Sequence, residues 1–329
     1  MELVYLPLTL YVFSIGFLRT GKVFYFAAAN PKLPLGGFAS ESKFFIMENI
    51  PSEFKPKTIL VSETDTDVEL TNKIQMGEFC FPLFAKPNLA EAGFLASKID
   101  SLKELMQYHA RHKMDYLVQE FIDHPIELSV LIHNAEGSLT ISSITERQHL
   151  SLTGDGQSSI GKLLFEHNRA KFRLNNVLKQ CESILHVVLE KDQVYKLAIG
   201  NWDFGAKYVE RTEVVNSTLL SAFENINAQV NLFHYARYDI MCRSMEEFLQ
   251  GKMQILEING VKGEPIHMYD EKYTLLQAYK EIFKHWEYIL KISKRNIRQG
   301  ASCPGLNGGF RLLYNHYKTK KTSLTKRGE

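Results

Sequence analysis

At 329 residues the chain is long enough to bury a sizeable core, as one large domain or two to three smaller ones. Apolar residues make up 45% and charged residues 23%, as in an ordinary soluble globular protein, and a formal net charge of +2 excludes the strong basic field of a nucleic-acid binder. Cys80, Cys181, Cys242 and Cys303 are scattered without a Cys-x-x-Cys, which argues against a disulfide framework or zinc site and points to a reducing compartment.

Residues 3–18 carry no charge, and Arg19 and Lys22 follow. A helix of that length spans about 24 Å, against about 30 Å of bilayer hydrocarbon. Pro7 interrupts the pattern, and without a basic leader or clear small-residue cleavage site a secretory signal fits poorly. Three readings stay open: a segment packed on the core, an interfacial membrane segment, and a true span or signal. The apolar run VFYFAAA ends at Asn30 and Pro31, and 30–37 reads as loop. A helix opens at Ser40–Lys43 and runs through about Glu48. A strand near 57–62, a short helix over 67–76, a strand over 79–87 carrying Lys86, and a loop over 88–96 follow. Ser101 and Glu104 form a capping box that opens a helix to about Lys113, with Leu102, Leu105 and Met106 on its apolar stripe. His109 and His112, near its end, are expected to face solvent. Residues 116–122 read as a nearly continuous apolar strand, and the segments flanking Glu136 and Gly137 as a hairpin. A Gly-rich loop lies at 153–159. Helical pattern covers 160–188 and 218–232, and 272–295 is a long amphipathic helix containing Trp286. The chain ends in a Gly-rich stretch at 300–309 and a basic, polar, disordered tail over 317–329.

The stretch 235–265 is the most informative. It reads as two strands, 235–242 and 253–259, joined by a polar turn and helix. Period-2 alternation puts Arg237 and Asp239 on one face, and Glu257 and Asn259 on one face of the second strand. Ala236, Tyr238 and Ile240 point the other way, as do Leu256 and Ile258. If the strands are neighbours, one polar face collects an arginine, two carboxylates and a carboxamide. Such oxygen donors suit Mg²⁺. The alternative is a half-exposed sheet with an ordinary polar outer face.

RYDI followed by LEING resembles the metal-binding end of the ATP-grasp ligases, in particular the D-alanine–D-alanine ligase-like ones. That family carries Arg-x-Asp on one strand and Glu-x-Asn on the next. Lys86, Glu120, Glu127, Arg237, Asp239, Glu257 and Asn259 match its pattern together in order and approximate spacing, over about residues 36 to 292. The resemblance implies an α+β ATP-grasp fold, with two subdomains clasping ATP and no full domain ahead of them. Residues 1–35 would be an apolar N-terminal segment, 36–125 the lid subdomain, 126–295 the catalytic subdomain, and 296–329 a Gly-rich, then basic tail. Because D-alanine–D-alanine ligases have a whole α/β domain upstream, where this chain has about 35 residues, that specific reaction is not expected.

For the site, the resemblance implies that Lys86 grips phosphates and that Lys43 is a further phosphate-contacting lysine. Gln119, Glu120, Phe121 and Ile122 would form the hinge whose backbone reads adenine, and Glu127 would bond the ribose hydroxyls. Asp239, Glu257 and Asn259 would hold Mg²⁺, two ions in all, with Mn²⁺ as a substitute. Arg237 offers a planar fork to a carboxylate or acyl phosphate. Thr153–Gly156 resembles a TGDG loop of ATP-grasp peptide ligases, whose N–H groups can form an anion-binding nest. Gly200, Asn201, Trp202, Gly205 and Lys207 are candidate substrate-facing residues. The loop at 88–96 departs from the family, with Gly93 as its only glycine and Glu91 near the phosphates. The activity implied is ATP-dependent joining of a carboxylate and an amine through an acyl phosphate. The alternatives are a nucleotide-binding pseudoenzyme and a membrane-surface assembly protein. The substrates would be small molecules and the location cytoplasmic, with peripheral membrane contact at most, helped by Lys318, Lys320, Lys321 and Lys326.

Overall fold

Short apolar runs, bounded by turn residues, fold into two antiparallel sheets that meet at the charged end of the 235–265 hairpin. The computed structural model describes residues 2–39, 41–89, 93–170, 174, 177, 178, 181–197 and 206–325.

The first sheet holds β1 (Thr58–Val61), β2 (Leu83–Pro87), β3 (Ser97–Ile99) and β4 (Tyr116–Glu120) in the order β1-β4-β2-β3. Helices α3 (Asp67–Met76) and α4 (Leu102–Arg111) cover it, burying Leu70, Ile74, Leu105 and Tyr108 against Leu83, Ala85, Tyr116 and Val118. Thr66 and Glu69 cap α3 reciprocally. At α4 only half of the expected box forms. Ser101 accepts from the Glu104 N–H, but the Glu104 carboxylate takes the N–H of Asp100. The second strand starts later than expected, at Leu83. Phe79 N–H instead closes the end of α3 on Ile74, and Pro82 has no N–H to give a ladder.

The second sheet holds β5 (Ile126–His133), β6 (Thr140–Gln148), β9 (Lys207–Glu210), β10 (Tyr235–Cys242) and β11 (Gln254–Asn259) in the order β11-β10-β5-β6-β9. One face is apolar. Leu128, Val130, Ile144, Tyr238 and Ile240 pack there under α6 (Ser217–Val230), whose Leu219, Phe223, Ile226 and Val230 recur at helical spacing. Each of those side chains contributes roughly 1.5–3 kcal/mol by leaving water. A short ribbon, β7 (Ser151–Thr153) with β8 (Val194–Lys196), packs beside α5 (Ile160–Glu166). Helix α5 covers the start of the 160–188 pattern, and residues 174, 177 and 178 are helical as well. It ends at His167, whose Nδ1 accepts the backbone N–H of Arg169 and competes with helix continuation.

Three further helices form around the sheets: α2 (Lys43–Glu48), α7 (Met245–Leu249) between β10 and β11, and α8 (Leu275–Arg298), which is capped reciprocally by Thr274 and Gln277. At the N-terminus, α1 (Glu2–Thr20) runs through Pro7 rather than breaking there; a proline this close to a helix start forgoes one hydrogen bond. Of the three readings of this segment, the structure shows packing on the core. Leu8 and Val12 are buried in a cluster with Phe26, Trp286 and Ile289, while Leu10, Phe17 and Leu18 stay exposed. No helix among the described residues is long and apolar enough to cross a membrane. The expected disordered tail is corrected over 317–325, where the backbone is helical in α9 (Leu306–Thr325); Lys326 and the residues after it lie outside the described residues. Gly309, a poor helix former, is needed there: a Cβ would lie 2.2 Å from the Phe24 ring.

His109 is a further correction. It is buried, with its ring hydrogen-bonded to the Asp65 carbonyl and to the Tyr116 hydroxyl. Two other buried histidines give the fold a pH dependence. Burial pushes His285 down to about 3 and His133 down to about 4. Both therefore stay neutral when folded and take up a proton when unfolded below about pH 6.5. Stability should fall as pH drops from 6.5 toward 4, by about 1.4 kcal/mol per unit for each histidine. Urea unfolding midpoints at pH 7 and pH 5 check this, and equal midpoints would show that these rings contribute nothing.

Candidate active site

The second face of the five-stranded sheet is polar, and β10 and β11 build its centre. Asp239 lies directly opposite Glu257, and Arg237 opposite Asn259. A register shift follows between Asp239 and Ile240. This bulge corrects the expected alternation: Ile255 joins Ile258 in the core, while Leu256 and Glu257 both turn toward Glu41 and Lys43.

Asp239 is densely bonded. Arg237 Nε and Nη2 grip its two oxygens at 3.0 and 2.9 Å. The Ser129 hydroxyl donates at 2.5 Å and Asn259 Nδ2 at 3.0 Å. Burial works against the charge on Arg237, but Asp239 outweighs it and raises the guanidinium pKa further. Glu257 accepts from Lys43 Nζ at 2.9 Å. Burial would raise its pKa, yet Lys43, Lys86 and Lys262 hold it at about 2. Lys86 reaches across from the first sheet, donating from Nζ to the Leu256 carbonyl at 2.8 Å. Burial lowers it to about 8, with Glu257 opposing the shift. Lysines from α2, from β2 and from the loop after β11 thus surround one carboxylate.

The scaffold behind these lysines was not legible in the sequence. Asn88, just past β2, accepts from the Ser42 hydroxyl and the Phe44 N–H at 3.0 Å each, and its carbonyl accepts the Lys43 N–H. It locks the start of α2 to the strand that bears Lys86. On the other side, Val261 and Lys262 donate their N–H groups to the Gly36 and Gly37 carbonyls. Gly260 allows this approach, for a Cβ there would lie 2.6 Å from the Gly36 oxygen. Lys262 pairs with Glu41 at 3.3 Å. Burial pushes the Glu41 carboxyl up despite Lys262 and Lys43, and its Oε2 is buried with no hydrogen-bond partner.

The remaining candidates lie apart from this cluster. Glu127 shares the polar face, but its oxygens are held by Arg147 at 2.6 Å and His149 at 2.7 Å. The Gln119 amide is buried and donates to the Thr58 hydroxyl, whereas half-exposed Glu120 accepts the Lys57 N–H at 3.0 Å. Phe121 lies under the Lys98 ammonium, and Ile122 is half-buried in the segment leading to β5. In the 153–156 stretch Gly154 donates its N–H to the Gln193 carbonyl, and just after it the N–H groups of Ser158 and Gln157 donate to the Asp155 carboxylate, which they hold at about 2. Lys207 pairs with Glu271. Glu91 and the stretch Gly200–Gly205 lie outside the described residues.

The donor set fits a hard cation in kind. Asp239, Glu257 and Asn259 present oxygens from neighbouring register positions, and Glu257 is held ionised. Both carboxylates are internally paired, and among the described residues no cluster of three or more His, Cys, Asp or Glu forms a ready metal site. A metal would have to take oxygens now held by Lys43 and Arg237.

No family model matches the chain, and no curated protein matches it. In solved structures it is similar to D-alanine–D-alanine ligase from Bacillus anthracis, at 14% identity and a TM-score of 0.45, covering 79% of this chain and 69% of that one. It is also similar to VanG D-Ala:D-Ser ligase from Enterococcus faecalis, at 12% identity and a TM-score of 0.42, covering 77% and 59%. A third is a bifunctional glutathione synthetase from Pasteurella multocida, at 12% identity and a TM-score of 0.37, covering 76% and 38%. The chain spans less than two thirds of the length of the last two. At low identity, it is similar to D-alanine–D-alanine ligases and other ATP-grasp enzymes.

Proposed function

We propose that the chain is an ATP-dependent carboxylate–amine ligase of the ATP-grasp type. The observation that carries this reading is the convergence of Lys43, Lys86 and Lys262 on Glu257, beside Arg237, Asp239 and Asn259. Cations drawn from both sheets around paired carboxylates are what a transferring phosphoryl group needs. In this reading a substrate carboxylate attacks the γ-phosphate of ATP, ADP leaves, and an amine displaces phosphate from the acyl phosphate to give an amide. Lys86 and Lys43 hold phosphate oxygens, and Arg237 orients the carboxylate through its planar fork. Asp239, Glu257 and Asn259 would hold Mg²⁺, which would neutralise charge on the phosphates. Residues 36–125 act as the lid and 126–295 as the catalytic half, with ATP between them.

Calorimetry with a non-hydrolysable ATP analogue tests the first step. Mg²⁺ should tighten binding, and Lys86→Ala should weaken it roughly tenfold to a hundredfold, the worth of a charge-assisted hydrogen bond. Absence of binding at millimolar nucleotide would sink the reading. One observation favours a second reading, a nucleotide-binding module without turnover: both metal-side carboxylates already hold internal cation partners. ADP release that depends on an added acid and amine separates the two.

A further inference from the structure

Beside the charged cluster lies a cavity of about 410 Å³ that the reading above leaves without a role. Its walls come from α1 (Val12), the segment after it (Phe26, Phe38), α8 (Trp286) and α9 (Leu313, His316). Phe26 and Phe38 both stand against Trp286, at centroid distances of 6.0 and 6.4 Å. A partly open space of roughly a dozen water volumes is within the range of small-molecule sites. Its lining is mostly apolar, and its charged residues are Lys262 and Glu264. Lys262 pairs with Glu41 and acts electrostatically on Glu257, and the Glu264 carbonyl accepts from Arg237 Nη1 at 3.5 Å. One end of the cavity therefore adjoins the residues assigned above to phosphate and carboxylate.

We propose that this cavity is a substrate subsite for the apolar body of an acid or amine, with its ionic head at Lys262 or Glu264. The inference rests on the ligase reading for the words substrate and head. The aromatic walls favour a ring or a branched chain on the order of ten non-hydrogen atoms. A carboxylate head suits Lys262 alongside its partner Glu41, an ammonium head suits Glu264, whose carboxylate also accepts the Tyr269 hydroxyl at 3.0 Å, and a zwitterion such as phenylalanine suits both.

Calorimetry on the full chain with phenylalanine, phenylacetate and phenethylamine, against glycine, acetate and ethylamine, tests the assignment. At least one aromatic probe should bind ten times more tightly than its small counterpart. Val12→Phe and, on the α8 wall, Ile282→Phe fill the cavity and should each weaken that binding at least tenfold, while leaving the affinity for the Mg-ATP analogue unchanged. Melting curves identify a variant that fails to fold, and the other then carries the test. Equal binding of large and small probes, or binding indifferent to both fillings, overturns the subsite. The ligase reading fails separately. Aromatic binding lost on filling, with no ADP release from any acid and amine, supports the cavity assignment and sinks turnover. ADP release from glycine-sized substrates that ignores both fillings sinks the subsite and leaves the ligase.

Discussion

Glu257→Gln is expected to lower ADP release by roughly 10²–10³-fold, in the same acid and amine mixture that supports release by the native chain. The substitution keeps shape and one oxygen but removes the charge around which Lys43, Lys86 and Lys262 are arranged. If Mg²⁺ is held there, it loses a carboxylate of the kind it depends on. The three lysines then face one another with less compensation. Glu257 is about a third exposed, so solvent shares that load and the fold should survive. Binding of the ATP analogue without Mg²⁺ should hold or tighten, because the phosphates meet the same cations with one fewer competing anion. An unchanged rate in a variant that melts like the native chain would make this pair of strands a scaffold and end the metal assignment.

The chemistry of that site was legible because alternation is a local rule. Arg237 and Asp239 fall on one face whatever the rest of the chain does. The same rule misplaced Leu256, since a bulge between Asp239 and Ile240 shifts parity and no residue in β11 announces it. Asn88, Glu41 and Lys262 were missed for a different reason. Their roles arise from contacts between segments far apart in sequence, which no period reveals. Helix α4 carries a usable signal: His109 stands four residues after Leu105, on the buried stripe. In α9 one of the glycines that suggest loop, Gly309, is there because Phe24 crowds the helix.

Asn30 shows most plainly how a side chain read as loop can organise the fold, and its replacement should have the largest effect on stability. It is fully buried. Its Nδ2 donates to the carbonyls of Gly36 and Tyr235, both at 2.9 Å, and its Oδ1 accepts the N–H groups of His234 and Tyr235 at 2.8 and 3.1 Å. One amide therefore holds the N-terminal loop to the first residues of β10, the strand that carries Arg237 and Asp239. Asn30→Ala leaves three backbone groups, the N–H groups of His234 and Tyr235 and the Tyr235 carbonyl, without partners in a buried site, while the Gly36 carbonyl keeps the Val261 N–H. Unsatisfied buried groups cost about 1–3 kcal/mol each, and partial relaxation brings the total to roughly 3–5 kcal/mol. At about 2–4 °C per kcal/mol for a chain of this size class, melting should fall by roughly 6–20 °C. Asn30→Asp separates hydrogen bonding from volume. It is isosteric and keeps the acceptor, but it turns a carboxylate oxygen toward two carbonyls, so it should destabilise at least as much as alanine. If Asn30→Asp melts within two degrees of the native chain, the four bonds are not what holds β10 in place, and the loop must be anchored by its apolar neighbours instead.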